Sequence, residues 1–390
     1  MSKTPELAIG AVQASDFEEL GRILTWAFGD LGPPAWLERV GRENLRAARA
    51  DGKLVGGLGV VPMGQWFGGN AVPMLGIAGV AVAPEARGHG VALSLMRETL
   101  SEARAQGIAL STLYPATLTL YRLAGYELAG ARFRFTARLK DLPTAGRDQK
   151  VRPIGDADRD AVEKAYATFA RTRAGALERG PYIWQRVREP RQGAARGFLV
   201  PGPDGVEGYL YATQRPIASG GYDLVLSDFV VLTAPAARSL LGFLADHRST
   251  ADTVVWHGGF PEPLFLEQPE ITTKVELREH FMLRIVHAEK ALLARGYSPQ
   301  NAELELELDD AELPENSGRY RLVVRDGRAD VSRGGNGKVR LGARALAVMY
   351  SGFLRASDLA RSGRVTGDSA SIQTLDALFA GPPPALGDFF

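Results

Sequence analysis

The sequence predicts a chain of the α/β (α+β) class, in which mixed sheets flanked by helices are followed by a smaller α+β part. Three observations carry that expectation. Strand-like runs alternate with amphipathic helical runs along the first third of the chain. A strand, a two-glycine loop and a long helix follow one another near residues 80–106. The same strand–proline–helix arrangement returns near residues 230–247 without its glycines. A chain of 390 residues has room for about two to four domains.

The first part opens with an amphipathic helix over Asp16–Ala27, with Ser15 or Asp16 placed to cap it. Strands are expected over Leu45–Arg49 and Lys53–Met63, joined by the hairpin signal Asp51-Gly52. A strand-like run covers Ala71–Val82, and a helix covers Val91–Gln106, stopped by Gly107. Ile108–Tyr114 reads as a strand, Thr119–Leu123 as a short helix and Arg132–Leu139 as an alternating strand. Asp141–Asp148, with Pro143 and Gly146, reads as a linker. The second part is expected to hold a helix over Ala157–Arg171, a strand over Tyr222–Leu232, a helix over Pro235–His247 and a strand over Asp252–Trp256. The third begins near His287. Its run Glu303–Leu308 alternates strictly, giving one acidic and one apolar face, and the acidic face reads as a solvated one. A hairpin over Arg319–Val324 and Arg328–Val331 turns at Asp326-Gly327, and Gly334–Lys338 reads as a further hairpin turn. Helices near Ala343–Tyr350 and Ala370–Leu378 precede a proline-rich tail.

Composition removes several function classes. Lys plus Arg is 46 and Asp plus Glu is 45, a net charge of +1 that argues against a nucleic-acid surface. The absence of cysteine excludes thiolate nucleophiles, iron–sulfur clusters and cysteine zinc sites. The five histidines show no ligand spacing, so no metal is expected. The first residues, Met1–Glu6, carry no apolar signal run, and no stretch is long and apolar enough to insert in a membrane. A cytoplasmic chain is the expectation.

The most informative segment runs from Val80 to Leu93. Its glycines, Gly88 and Gly90, let backbone N–H groups close on an anion, and the helix that follows adds unpaired donors. Arg87 adds charge. A dinucleotide fold would want a third glycine where Leu93 stands, and a P-loop reading of Gly334–Lys338 fails because Val339 replaces the Ser/Thr. What fits is the pattern R-x-x-G-x-G/A, present as Arg87-Gly88-His89-Gly90-Val91-Ala92 and preceded by a V-x-V-x-P strand. The second signature follows as Leu113–Thr117 and Tyr121–Tyr126.

With these two motifs, Leu283-Arg284-Ile285 ahead of Ala291–Tyr297, and an aromatic C-terminus, the chain resembles the enhanced intracellular survival (Eis) family of GNAT acetyltransferases. The resemblance implies an acetyl-CoA-binding GNAT domain over residues 1–143, a degenerate GNAT-like domain over 144–286 and a sterol-carrier-protein-like domain over 287–390. The second copy agrees: Pro235 and Arg238 repeat the spacing of Pro84 and Arg87, but Ser239-Leu240-Leu241 stand where Gly88-His89-Gly90 stood.

The resemblance also implies roles. Val80, Ala81 and Val82 would bind the pantetheine arm of acetyl-CoA. Arg87, Gly88, His89, Gly90, Val91, Ala92 and Leu93 would surround its pyrophosphate, with Ala116 and Thr117 completing the cofactor site. Tyr121 is the expected general acid; Tyr126 reads as the core aromatic and Tyr114 as a competitor. The strand Leu75–Val82 has no acid or base of its own. The family's base is the main-chain carboxylate of the C-terminal aromatic residue, which here is Phe390. Trp26, Phe28, Asp30 and Trp36, with Phe389 and Asp388, are the candidate contacts to a cationic amine. The penultimate residue departs from the family's acidic one, being Phe389 with Asp388 before it.

The expected activity is direct acetyl transfer to an aminoglycoside-like amine or a lysine side chain. A lipid or small-molecule carrier and a non-catalytic acyl-CoA-binding assembly protein are the alternatives. The resemblance further implies a homo-oligomer, a hexamer.

Overall fold

The computed structural model describes residues 7–29, 33–144, 149–191, 193–218 and 220–390, without the side chains of Pro33 and Pro34. Its contacts divide the described chain into two compact units. The first holds residues up to Ala129, His280–Pro382 and Phe390; the second holds Gly130–Glu279 and Pro383–Phe389.

In the first unit, β1 (Leu7–Ala11) leads to α1 (Phe17–Phe28) and α2 (Pro33–Val40). Then come β2 (Leu45–Ala50), β3 (Lys53–Phe67), β4 (Asn70–Val82), α3 (Val91–Ala105), β5 (Leu110–Leu113), α4 (Leu118–Leu123) and the start of β6 (Glu127–Arg138). Strands β1 to β4 form an antiparallel meander. Asp51 and Gly52, both at positive φ, make the expected tight turn between β2 and β3. β5 then joins β4 in parallel, as the α3 crossover requires. Residues Met282–Ile285 pair antiparallel with β5 and extend the sheet.

Helix α3 buries Val91, Leu95, Met96, Leu100 and Ala103, one face at helical spacing. That face packs on Leu58, Val60, Leu75, Ile77 and Leu113, together with Tyr121, Tyr126, Met282 and Leu313. Gly107, at positive φ, ends the helix.

A separate five-stranded sheet lies in the same unit, in the order 328–333, 318–325, 302–309, 339–342, 365–366. Leu304, Leu306 and Leu308 face its core. Glu303 and Glu307 face outward and pair with Arg321, and with Arg319 and Arg340, the solvated side the alternation implies. The expectation for residues 334–338 is corrected here. The strand before them pairs with 318–325, whereas the strand after them runs parallel to 302–309. The segment is therefore a crossover, because those two strands lie on opposite sides of 302–309.

The second unit repeats the central part of the first. Strands 222–231 and 251–258 are parallel and joined by the helix Ala234–Ala245, as β4, α3 and β5 are. Its sheet runs from β6 through 251–258, 222–231, 205–216 and 196–202 to 152–153. Leu240, Leu241, Leu244, Val254 and Trp256 fill its core with Phe135 and Leu210. Here Pro235 and Arg238 lie inside the helix rather than in a loop ahead of it, and Ser239, Leu240 and Leu241 are buried. Thr233 caps the helix by accepting from the Ala236 amide. Its hydroxyl donates to the Glu207 carboxylate, which also accepts from the Gln149 side chain. A carboxylate beside this capped helix start is a poor setting for a pyrophosphate.

Candidate active site

The two-glycine loop, the expected pyrophosphate site, lies between β4 and α3. Gly88 and Gly90 have φ of 80° and 79°, a conformation that disfavours any side chain. Among the described residues, no atom beyond the chain neighbours stands within 4 Å of a Cβ built on either glycine, so the space beside both is open. Gly90 is the N-cap of α3 and has no side-chain cap, which leaves the first amides of the helix for an anion. His89 is exposed, so the backbone rather than the imidazole defines the turn. Arg87 turns back and donates from Nε to the Val82 carbonyl. Val91 is buried in the core behind the loop, and Ala92 and Leu93 are half-buried. These features fit a diphosphate bound by main-chain N–H groups.

The strand expected to hold the pantetheine arm changes its pairing along its length. The pairing of β4 with β5 ends at Ile77 and Leu113. Beyond that point Ala81 and Val82 pair on the β3 side, opposite Gly57 and Gly56. A bulge interrupts β4 where the register passes from Gly57↔Ala81 to Gly59↔Ala78, and Gly79 takes φ of 61° in it. A bulge of this kind bends a strand and re-aims the residues after it. Ala116 and Thr117 are exposed between β5 and α4, with Thr117 as the extended N-cap of α4.

Tyr121 lies in α4 and is 5% exposed. Burial pushes its phenol up to about 12. Its ring meets that of Tyr126 edge-on at 6.2 Å. Tyr126 is fully buried and shares a 2.7 Å hydrogen bond with Ser111, which makes it the core aromatic of the pair. Tyr114 is half-buried, with its ring 5.9 Å from that of Phe390.

Phe390 is 7% exposed. A Cβ on Gly76 would lie 2.8 Å from the Phe390 ring and 2.4 Å from the Met63 methyl. Gly76 of β4 pairs with Val61 of β3, and Met63 of β3 with Met74 of β4, two positions along the same ladder. The absence of a side chain at 76 therefore makes room for the terminal ring. Neither residue has a sequence signature, because Phe390 reaches them only through the fold.

The amine-side candidates fall differently. Trp26 is 71% exposed on α1, and Phe28 is exposed near its end. Asp30 lies outside the described residues. Trp36, on α2, lays its indole over Gly59 and Gly79; a Cβ on either would come within 2.8 or 2.6 Å of the ring. That places Trp36 beside the bulge that precedes Val80. Asp388 is 2.9 Å from Arg179 in an ion pair and also accepts from Tyr166. Phe389 is half-exposed under the Arg132 guanidinium, and its carbonyl accepts from Arg186. Arg179, Arg132 and Arg186 are the residues that sequence reading missed.

Comparison with known proteins gives three domain matches. Models of the acetyltransferase (GNAT) domain match residues 8–129 and 175–285, and a sterol carrier protein domain matches residues 288–387. An uncharacterised N-acetyltransferase of Streptomyces coelicolor is 30% identical over 317 residues, 76% of each chain. N-acetyltransferase Eis of Mycobacterium tuberculosis is 28% identical over 337 residues, 80% of this chain and 79% of that one. Among solved structures, a GCN5-related N-acetyltransferase from Anabaena variabilis has a TM-score of 0.93 at 34% identity, covering 99% of this chain and all of that one. Eis1 from Mycobacterium abscessus shares the fold with a TM-score of 0.81 at 22% identity, over 99% of this chain and 100% of that one. The two parallel-strand repeats described above are thus tandem GNAT domains, and the separate five-stranded sheet belongs to a sterol-carrier-type domain.

Proposed function

The chain is an N-acetyltransferase of the Eis-like GNAT family, and from that premise we propose that it moves acetyl from acetyl-CoA directly to an amine of a polycationic small molecule, aminoglycoside-like, or of a lysine side chain. The observation that carries this is the open two-glycine turn at the head of α3 beside the unpaired edge of Val80–Val82.

In the proposed reaction the amine nitrogen attacks the thioester carbonyl carbon, the C–S bond breaks, and the amine's proton leaves to a base. The Phe390 carboxylate takes that proton. Tyr121 faces the departing sulfur as the acid. Held at about 12, its phenol stays protonated throughout the neutral range. It is then a constant hydrogen-bond donor to the developing thiolate, and gives up its proton only as charge builds on sulfur. With no cysteine in the chain, no thioester forms on a protein thiol. Trp26, Phe28 and Trp36 supply aromatic faces for a cationic amine. The working form is a homo-oligomer, a hexamer as the family resemblance implies.

The test is thiol release from acetyl-CoA across a panel of polyamines, aminoglycosides and a lysine peptide. Turnover with at least one polycation is expected. Tight acetyl-CoA binding without turnover on any amine would favour a non-catalytic acyl-CoA-binding protein. Tyr121→Phe is expected to lower kcat at least tenfold while changing acetyl-CoA affinity by less than about threefold.

A further inference from the structure

A fully buried arginine underlies the second acetyltransferase signature, and the proposed reaction leaves it without a task. Arg284, in the strand residues 282–285 that pair with β5 in the first unit, has no exposed surface. Its Nη2 donates to Asp310 at 2.7 Å. Among the described residues, its Nε and Nη1 have no hydrogen-bond partner. Both lie against Gly125: a Cβ built there would be 2.8 Å from the guanidinium carbon, 2.9 Å from Nε and 3.0 Å from Nη1. The near-equal distances set this part of the flat group squarely beside the turn.

Asp310 is itself firmly held. Its carboxylate accepts from the Leu313 amide at 3.1 Å and from the Asn316 side chain at 2.9 Å, and its own amide donates to Ser317 at 2.9 Å. Asn316 accepts in turn from Arg104 of α3 at 2.6 Å. Asp310 belongs to the sterol-carrier-type domain, which thereby fixes where the guanidinium lies.

A buried ion pair is a poor stability device, since a well-packed apolar pair of the same volume does as well or better. Donors left unbonded make this one costlier still. What only the guanidinium supplies is a rigid plane under Gly125. Gly125, at φ of 84°, sits inside the turn closed by the Tyr126 amide on the Tyr121 carbonyl at 3.0 Å, and the same carbonyl accepts from Ala124. Tyr126 meets the Tyr121 ring edge-on at 6.2 Å. Burial raises the Tyr126 phenol, against the lowering effect of its Ser111 hydrogen bond and of the nearby Arg284 charge. The turn that carries Tyr121 and the ring that flanks it thus both adjoin Arg284.

We infer that Arg284, oriented by Asp310, is a positioning residue that sets the Tyr121 hydroxyl for the departing sulfur; the inference rests on the proposal that Tyr121 is the acid. Being fully buried, Arg284 acts through Gly125 and Tyr126.

The experiment uses the full chain and Arg284→Lys, which keeps a cation for Asp310 and loses the flat group. A second variant, Arg284→Met with Asp310→Leu, removes the pair together, so that no unpaired charge stays buried should the first fold poorly. Each is expected to melt cooperatively, with kcat at least about tenfold lower and the KM for acetyl-CoA within about twofold. A displacement of about 1 Å is enough for a loss of that order. A merely structural defect would be indifferent to Tyr121. Each variant is therefore also made in Tyr121→Phe, where it should lower kcat no more than about twofold further.

Undiminished kcat in either folded variant would overturn the inference. So would losses that multiply with that of Tyr121→Phe, since Arg284 would then act elsewhere, or a raised KM for acetyl-CoA with kcat intact. Loss of a cooperative melt in both variants would make Arg284 a structural strut and overturn it too. Undiminished kcat in Tyr121→Phe itself overturns the acid. A slow Tyr121→Phe beside fully active Arg284 variants overturns the positioning role alone.

Discussion

Gly76 shows how far a single side chain, or its absence, reaches in this molecule. Its Cα faces the Phe390 ring and the Met63 methyl at distances that leave no room for another carbon. Met63 is flexible and can withdraw, but a ring held in a buried seat moves only as a body. Gly76→Ala should therefore push the terminal ring out of place. We expect kcat to fall about tenfold or more with acetyl-CoA affinity little changed, and a loss of roughly 1–3 kcal/mol in stability from overpacking. Steady-state kinetics with a thermal melt would check it, and an alanine variant with full kcat would mean that the ring's seat does not govern the reaction. The same residue explains the uneven legibility of the site. Gly88 and Gly90 were readable because a turn between a strand and a helix demands positive φ, and glycine supplies it locally. Gly76, Met63 and Arg179 were not, because each acquires its meaning from a partner far along the chain. The ion pair of Asp388 with Arg179 was illegible for the same reason: nothing near Asp388 in sequence announces that partner.

At the scale of elements, strongly patterned segments matched expectation and weakly patterned ones did not declare themselves. Helix α3 and strand 302–309 carry clean periodicities, and both appear where they were expected. Strands Arg196–Gly202 and Gly205–Pro216 went unread because prolines and glycines break their alternation. Pairing between strands then creates chemistry that no single strand shows. His257 lies directly opposite Arg134 in the ladder between 251–258 and β6. Burial, helped by Arg132, Arg134 and Arg278, lowers its pKa from 6.5 to about 3. Between those two values the unfolded chain binds a proton that the folded strand refuses. Stability thus rises with pH across this window: the contribution is complete above about 6.5 and is lost as pH falls toward 3. At about 1.4 kcal/mol per pH unit, moving from pH 7 to pH 5 should cost the second unit about 2 kcal/mol through this group. His257→Asn should remove that part of the acid sensitivity. Denaturant melts of both chains at pH 7 and pH 5 give the comparison, and equal slopes would show that the imidazole is not the sensor.

For the molecule as a whole, the order of residues along the chain differs from the order in which the first unit is closed. Strand β5 is completed by Met282–Ile285, residues at the very end of the second GNAT match. The contribution is not marginal. Met282, Val286 and Leu313 belong to the same buried cluster as Leu95, Leu113 and Tyr126. Arg284, fully buried, pairs with Asp310 at 2.7 Å, and Asn316 joins that carboxylate from the other side. A chain ending at residue 143 would keep both acetyltransferase signatures and lose all of this. β5 would become an exposed edge, its four residues apolar or small and buried in the intact chain, which is a setting for aggregation. Each large apolar group left uncovered forfeits about 1.5–3 kcal/mol, so three or four of them rival the whole stability of an ordinary domain. We therefore expect the 1–143 chain to be insoluble, or to collapse without a cooperative melt or near-ultraviolet dichroism. Fusing residues 280–382 behind it through a flexible linker should restore both, along with acetyl-CoA binding. A soluble 1–143 chain that melts cooperatively and binds acetyl-CoA on its own would mean that the first repeat closes its core without the later strand.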